Sequence, residues 1–160
     1  MAVKPVPDGF HTVNSYIVVK NAVEAMKFYQ KAFGAEPGMR MPGPDGNSTM
    51  HAEMRIGNST VMLTDENPEW DLKSVQTLGG SPCSLHLYVE NGDKLFERAV
   101  QAGCTVKMPM MDAFWGDRYG KVADPFGHQW GIATHKEDLS PAQIAERAEE
   151  FFSNMGGCCE

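Results

Sequence analysis

The chain has 160 residues, enough to bury one core or two small repeats that share one, and its 42% hydrophobic and 22% charged content is typical of a globular protein. The formal net charge of -7 argues against a nucleic acid or an anionic membrane as partner, because either would need a basic face. No apolar run approaches the roughly 18 residues of a membrane span, and the four cysteines are too unevenly spaced for a disulfide framework. We therefore expect a cytoplasmic protein with free thiols and no membrane partner.

The first half of the chain predicts a β-α-β-β-β unit. Residues 15–19 form a β-branched and aromatic strand, followed by a helix that Asn21 begins and Gly34 ends. Residues 36–41 predict a short strand, and residues 50–56 alternate between apolar and polar side chains as a half-buried strand does. A Gly-Asn hairpin signal then leads into a last strand.

The same order of elements recurs in the second half of the chain. Val19 and Asn21 match Val89 and Asn91, 70 positions later, and each pair precedes a helical stripe that a glycine ends. An Asp-Pro-Phe-Gly turn at 124–127 then joins the last two predicted strands. We infer an internal duplication of the β-α-β-β-β unit.

These elements predict one α+β domain made of two modules. The domain spans residues 11–135, with module 1 at about 11–66 and module 2 at about 83–135. A helix over 140–153 follows, and we expect residues 154–160, which include two cysteines of no assignable role, to be a flexible tail.

Several short motifs resemble the vicinal oxygen chelate superfamily, which includes glyoxalases, ring-cleaving dioxygenases and bleomycin-binding proteins. They are the paired modules, an Ala-Phe-Gly-Ala helix end at 32–35 and the turn at 124–127, while segments 51–53 and 114–120 look most like the PhnB-like, glyoxalase-like branch. The resemblance covers about residues 11–135. It implies curled mixed sheets that form an incomplete barrel around a small-molecule cavity. It also implies a homodimer. The apolar stripe of the last helix fits this expectation, because a second copy could cover it: Ile144, Ala148 and Phe151.

Enzymes of this superfamily hold a divalent metal on the first and last strands of each module. The resemblance places those ligands at or near Asn14, Leu63, Ser84 and Gly131. Glycine and leucine have no side-chain donor, and an amide with a hydroxyl is a weak pair compared with the His and carboxylate sets that hold zinc. We therefore predict no cofactor and no metal at the usual position.

Other polar side chains are expected to face the same cavity, because alternate residues of a strand share a face. The catalytic candidates are His51, Glu53 and His86. His51 and Glu53 would act as a base with an orienting carboxylate. Two alternatives stay open: a structural ion pair within a hydrogen-bonded polar layer, or a displaced divalent-metal site formed by all three residues.

The predicted ligand-binding side chains line the cavity or close its mouth: Tyr16, Tyr88, Trp115, Arg118, Tyr119 and Gln129. Trp115 would stack on a planar ligand, and Arg118 would clamp an anionic one. The alternative is that Trp115 seals the barrel while Arg118 pairs with Glu53 or Asp117.

Two functions remain open at this point. The first is a metal-independent small-molecule-binding protein of the bleomycin-resistance type, which the missing metal ligands favour. The second is a lyase or isomerase with an atypical site around His51, Glu53 and His86, which the dense polar face favours.

Overall fold

The computed structural model describes residues 3–156, and its first module is a four-stranded sheet with one long helix. The elements are β1 (Ser15–Val19), α1 (Ala22–Phe33), β2 (Glu36–Pro42), β3 (Thr49–Ile56) and β4 (Ser59–Asp65). The strand order is β1-β4-β3-β2, with β1 parallel to β4 and the other neighbours antiparallel. The predicted β-α-β-β-β order is confirmed.

The connector between the modules is more ordered than its polar composition indicates. It contains a 3-10 turn (Pro68–Trp70) and the one-turn helix α2 (Val75–Leu78), whose first turn is capped by the Ser74 hydroxyl. Both pieces are too short to produce a hydrophobic period, so the sequence pattern does not reveal them.

The second module repeats the first. Its elements are β5 (Ser84–Tyr88), α3 (Gly92–Ala102), β6 (Thr105–Asp112), β7 (Asp117–Ala123) and β8 (Gln129–His135). The strand order β5-β8-β7-β6 reproduces that of the first sheet position by position. The structure therefore confirms the α+β class and the duplication, with two mixed sheets that do not close into a barrel.

The last helix, α4, spans Pro141–Gly156 and continues past residue 153, where we expected the tail to begin. Gly156 is the first strong helix breaker after Pro141, which explains the extra turn. The rest of the predicted tail, with Cys158 and Cys159, lies outside the described residues. None of the helices between residues 3 and 156 combines the length and apolar character that a membrane-spanning segment needs.

One core joins the two modules. It lies where α1 and α3 pack on each other and on the sheets, so both modules contribute to it. Its largest fully buried side chains come from α1 and from both sheets: Tyr29, Met54, Leu63, Trp130 and Ile132. Neither module could cover its apolar face alone, and the two therefore form one domain.

Asp124 connects the modules through buried hydrogen bonds. One carboxylate oxygen accepts from Tyr29 Oη of α1 at 2.7 Å and from Trp130 Nε1 of β8 at 2.9 Å. The other accepts the backbone N–H groups of Phe126 and His128, both at 2.9 Å, and so shapes the predicted turn. Burial, followed by the charge of Asp124, raises the pKa of Tyr29, so the phenol remains a hydrogen-bond donor.

We expect the Tyr29→Phe variant to lose about 1–3 kcal/mol of unfolding free energy, the usual range for a buried hydrogen bond to a charged group. The measurement is a urea or guanidinium titration followed by far-ultraviolet circular dichroism. Tyr16→Phe is the control, because Tyr16 lies outside the core and is 48% exposed. An unchanged denaturation midpoint for Tyr29→Phe would show that the Asp124 link does not stabilise the fold.

Candidate functional site

Each sheet has one face on the shared core and an opposite face, called here its open face, that carries mainly polar and aromatic side chains. The first open face consists of Tyr16, Val18, His51, Glu53, Arg55 and Met62. The second open face consists of Ser84, His86, Tyr88, Asp117, Tyr119, Lys121, Gln129, Gly131 and His135. Alternate residues of each strand lie on the same face, as the sequence predicts for the strands identified from it.

On the first open face, His51 lies between a tyrosine and a carboxylate. His51 Nε2 is 3.2 Å from Glu53 Oε1, and His51 Nδ1 is 3.4 Å from Tyr16 Oη. The side chains of His51 and Glu53 are 24% and 26% exposed, so solvent reaches both. The predicted contact between these two residues is present in the structure.

On the second open face, His86 lies between two tyrosine rings. Its ring centroid is 4.7 Å from that of Tyr88 and 5.6 Å from that of Tyr119, and the His86 and Tyr119 planes differ by only 7°. Gly131 lies beneath this group. A Cβ atom at Gly131 would be 2.9 Å from His86 Nδ1 and 3.0 Å from Tyr119 Cε2, so any larger residue would displace a ring.

Asp117 holds the edge of the second open face together. Its side chain is 2% exposed and accepts hydrogen bonds from Tyr88 Oη at 2.8 Å, Trp115 Nε1 at 2.9 Å and His135 Nδ1 at 2.8 Å. The three donors come from β5, the β6–β7 turn and β8. Trp115 also packs edge-on against Tyr119, with centroids 5.6 Å apart.

The charges around Asp117 follow from these contacts. Burial alone would raise the pKa of Asp117, but hydrogen bonds from His135, Tyr88 and Trp115 outweigh it and hold the pKa below its usual value. Hydrogen bonds to Asp117 and then to Asp138 raise the pKa of His135. The hydrogen bond to Asp117 raises the pKa of Tyr88 as well. The edge therefore combines an ionised carboxylate with an imidazole biased toward its cationic form.

The structure does not bring Arg118 to the cavity mouth. Its guanidinium forms a two-pronged contact with Asp93 in the first turn of α3, at 2.9 and 3.2 Å, and lies 3.5 Å from Asp112. Because Asp117 and Tyr119 occupy the open face of β7, the residue between them must point to the helix side. Arg118 therefore pairs with neither Glu53 nor Asp117, the two partners considered from the sequence.

The three catalytic candidates fall into two separate groups. His51 and Glu53 lie on the first sheet and His86 on the second, and no described contact joins them. Within residues 3–156 no three His, Cys, Asp or Glu side chains are close enough to hold a metal ion. The alternative metal site of His51, Glu53 and His86 is thus not assembled within one chain.

The superfamily's usual metal position is also poorly supplied with ligands. Leu63 is fully buried in the core, and the register places Met62 opposite Tyr16 on the open face, so the position expected at or near Leu63 falls on a methionine. The Asn14 amide is bonded in both directions to the backbone of His11. With Gly131 in the second module, the residues present do not fit a divalent cation.

Sequence reasoning missed three residues of the second open face: Asp117, Lys121 and His135. The first two share the i, i+2, i+4 alternation of β7 with Tyr119, and that signal was available once a strand was assigned there. His135 ends β8, where the sequence has no turn signal to mark the boundary. Its role depends on Asp117, which lies 18 positions away in the chain.

Two clefts flank the second open face. One, of about 510 Å³, lies between the β3–β4 turn and β5 and is lined by Asn58, His86 and Tyr88 among others. The other, of about 440 Å³, is lined by Lys107 and Gln129 together with the loop after α2. Both volumes are in the range of small-molecule sites. Of the predicted ligand-binding residues, Tyr88, Tyr119 and Gln129 lie on the second open face and Trp115 packs beside it. Tyr16 belongs to the other sheet.

Comparison with known proteins gives a match to one family model and to several relatives. The model of the glyoxalase/bleomycin resistance protein/dioxygenase superfamily matches residues 9–132. An uncharacterized protein of Mycobacterium tuberculosis is 42% identical over 135 residues, which cover 82% of this chain and 79% of the relative.

Solved structures share the fold. TioX from a Micromonospora species aligns with a TM-score of 0.61 and 24% identity, over 77% of this chain and 98% of that one. A PhnB protein from Bacillus cereus aligns with a TM-score of 0.60 and 16% identity, over 78% and 99% of the two chains. At these identities the likeness shows the fold alone, and it agrees with the resemblance found in the sequence.

We expect the pKa of His135 to lie above the usual histidine value of about 6.5. In the Asp117→Asn variant, we expect the pKa of His135 to lie closer to that usual value. The contact contributes stability that is fully present below the unfolded-state pKa and is lost as pH rises through the raised folded-state pKa of His135. From the acid side, it is lost as pH falls through the lowered folded-state pKa of Asp117. The measurement is the pH dependence of the imidazole nuclear magnetic resonance signals.

Glu137→Gln is the matched control for this titration. Glu137 is an acidic neighbour in sequence, but its carboxylate pairs with Arg147 and not with His135. Its replacement should leave the His135 titration unchanged. An Asp117→Asn variant that titrates like the wild type would contradict the assigned contact.

Proposed function

Because the chain belongs to the glyoxalase/bleomycin resistance protein/dioxygenase superfamily, we propose that it is a small-molecule-binding protein that works without the superfamily's metal. The observation that carries this proposal is the packing at Gly131. The position from which the family's last ligand would project is filled by the rings of His86 and Tyr119. A face built of stacked rings over a glycine offers surface for a planar ligand in place of a metal ion.

The ligand would lie on the second open face. Tyr88, Tyr119 and Trp115 present aromatic surface there, and Gln129 adds an amide that can both donate and accept hydrogen bonds. Asp117 fixes Tyr88 and Trp115 before any ligand arrives, which lowers the entropy cost of binding. Arg118 is not part of this proposal, since Asp93 already neutralises it.

A homodimer belongs to the same proposal. Each chain exposes large apolar side chains on its open faces and on the edge strands β2 and β6: Tyr16, Met39, Met41, Tyr88, Val106 and Met108. On α4, Phe151 and Phe152 pack on Phe114, yet Phe152 is still 60% exposed. A second copy would cover this surface.

A cytoplasmic location is also part of the proposal. Cys83 is an exposed free thiol, which suits a reducing compartment. Burial and the charge of Asp124 raise the pKa of Cys104 to about 12, so this second thiol is unreactive. Cell fractionation with an antibody against the protein checks the location.

The second candidate function is that of a lyase or isomerase, and the contact between His51 and Glu53 favours it. An imidazole whose Nε2 faces a carboxylate can accept a proton at Nδ1, where Tyr16 Oη is 3.4 Å away. A reaction abolished by His51→Gln, with ligand binding on the second sheet retained, would support this activity over binding alone.

We expect purified protein to carry no stoichiometric divalent metal and to bind its ligands equally well after chelation. The experiment is a thermal-shift screen of small molecules on untreated and chelator-treated protein, with elemental analysis of both samples. A bound metal would contribute folding free energy, so its removal would lower the melting temperature. Near-unit zinc, nickel, manganese or iron after dialysis would contradict the proposal, as would a ligand-induced shift that chelation abolishes.

We expect light scattering at micromolar concentration to give twice the 17.6 kDa mass of the chain. A chain that ends after Lys136 lacks α4 and should form a weaker dimer or unfold at a lower temperature, because Phe114 loses its contacts with Phe151 and Phe152. Phe152→Ser in the full chain tests the exposed part of this surface without removing the helix. The mass of a single chain for the wild type would contradict the dimer.

A further inference from the structure

The second open face carries one ammonium group, that of Lys121, although the whole chain has a formal net charge of -7. Within the described strands, the one carboxylate on this face is that of Asp117. It already accepts hydrogen bonds from Tyr88, Trp115 and His135. Lys121 lies on the same face, and Lys107 lines the adjacent cleft. The local charge therefore favours an anion where the net charge of the protein would repel one.

Lys121 occupies the centre of this face. In the register it lies beside Gly131 of β8 on one side and Met108 of β6 on the other, two positions after Tyr119 on β7. It is partly buried, yet among residues 3–156 no carboxylate lies within ion-pair distance of its ammonium group. Arg118, one strand position from Tyr119, differs in this respect because Asp93 and Asp112 neutralise it.

Aromatic side chains lie close to Lys121 in the strand register. Tyr119 lies two positions before it on β7, and His86 lies beyond Gly131 on β5, where the missing Cβ lets the two rings stack over the glycine. An ammonium group beside aromatic surface selects a molecule that has both an anionic group and a ring. A ligand with only an anionic group would contact only the ammonium group, and a ligand with only a ring would contact only the aromatic side chains.

We propose that the second open face binds a small aromatic carboxylate, with the carboxylate on Lys121 and the ring against His86 and Tyr119. The inference rests on the proposed binding function and adds the class of ligand and the residue that selects it. It assigns the anion-binding role to Lys121 in place of Arg118. The carboxylate accepts hydrogen bonds from the Lys121 ammonium, and the ring displaces water from the two side-chain rings.

The experiment compares two probes of equal shape, 2-naphthoate and its neutral isostere 2-naphthamide, by calorimetric titration into the full chain. We expect the affinity of the wild type for naphthoate to exceed that for naphthamide by a factor of about ten or more. A hydrogen bond to a charged group contributes a free energy of this size. Lys121→Met should abolish that preference while naphthamide affinity stays the same. Lys121→Arg should retain the preference, because it keeps the charge.

Lys94→Met is the matched control, since it removes the same charge from an exposed position on α3, away from this face. It should leave the preference intact, and melting curves verify that every variant is folded. Equal affinity of the wild type for the two probes would overturn the anion inference and leave small-molecule binding standing. A Lys121→Met variant that keeps the preference would overturn the role of this residue. No binding of either probe would overturn the inference as a whole, whereas the screen on chelated protein decides the binding function separately.

Discussion

The fold depends on one buried carboxylate that both modules share. Asp124 bonds Tyr29 of α1 and Trp130 of β8, so the helix of the first module cannot leave the sheet of the second without removing one of the hydrogen-bond partners of a buried carboxylate. A buried charge without partners costs several kcal/mol, roughly the scale of a domain's whole stability. This contact therefore fixes how the two modules lie against each other, and it leaves both open faces directed away from the core.

Strand β7 links the core to the candidate site. Asp117 begins the strand and Asp124 follows its end, and the odd spacing between them puts the two carboxylates on opposite faces. Asp124 organises the core with two aromatic donors, and Asp117 organises the open face in the same way with Tyr88 and Trp115. The same chemical device thus holds the core together and preorganises the surface on which we place the ligand.

Several features of the site followed from the sequence because they depend on local alternation. The contact between His51 and Glu53 required only that both lie on one strand face. The same rule also explains where prediction failed. Arg118 was grouped with Tyr119 as a mouth residue. The two are neighbours on β7, which begins at Asp117, so their side chains face opposite ways. Alternation also decides the position expected at or near Leu63, since Met62 and not Leu63 aligns with Tyr16.

The sequence by itself determined the α+β class, the duplicated modules and the turn at Asp124, because hydrophobic period, caps and turn residues act over a few neighbouring positions. Only the tertiary structure decided which polar groups meet. His86 lies beside Gly131 because β5 and β8 pair in parallel. His135 bonds Asp117, which is 18 positions away in the chain. It also separated His86 from His51, because each lies on its own sheet and the core between the modules keeps the sheets apart. Such encounters depend on register and on packing between modules, and no local pattern encodes either.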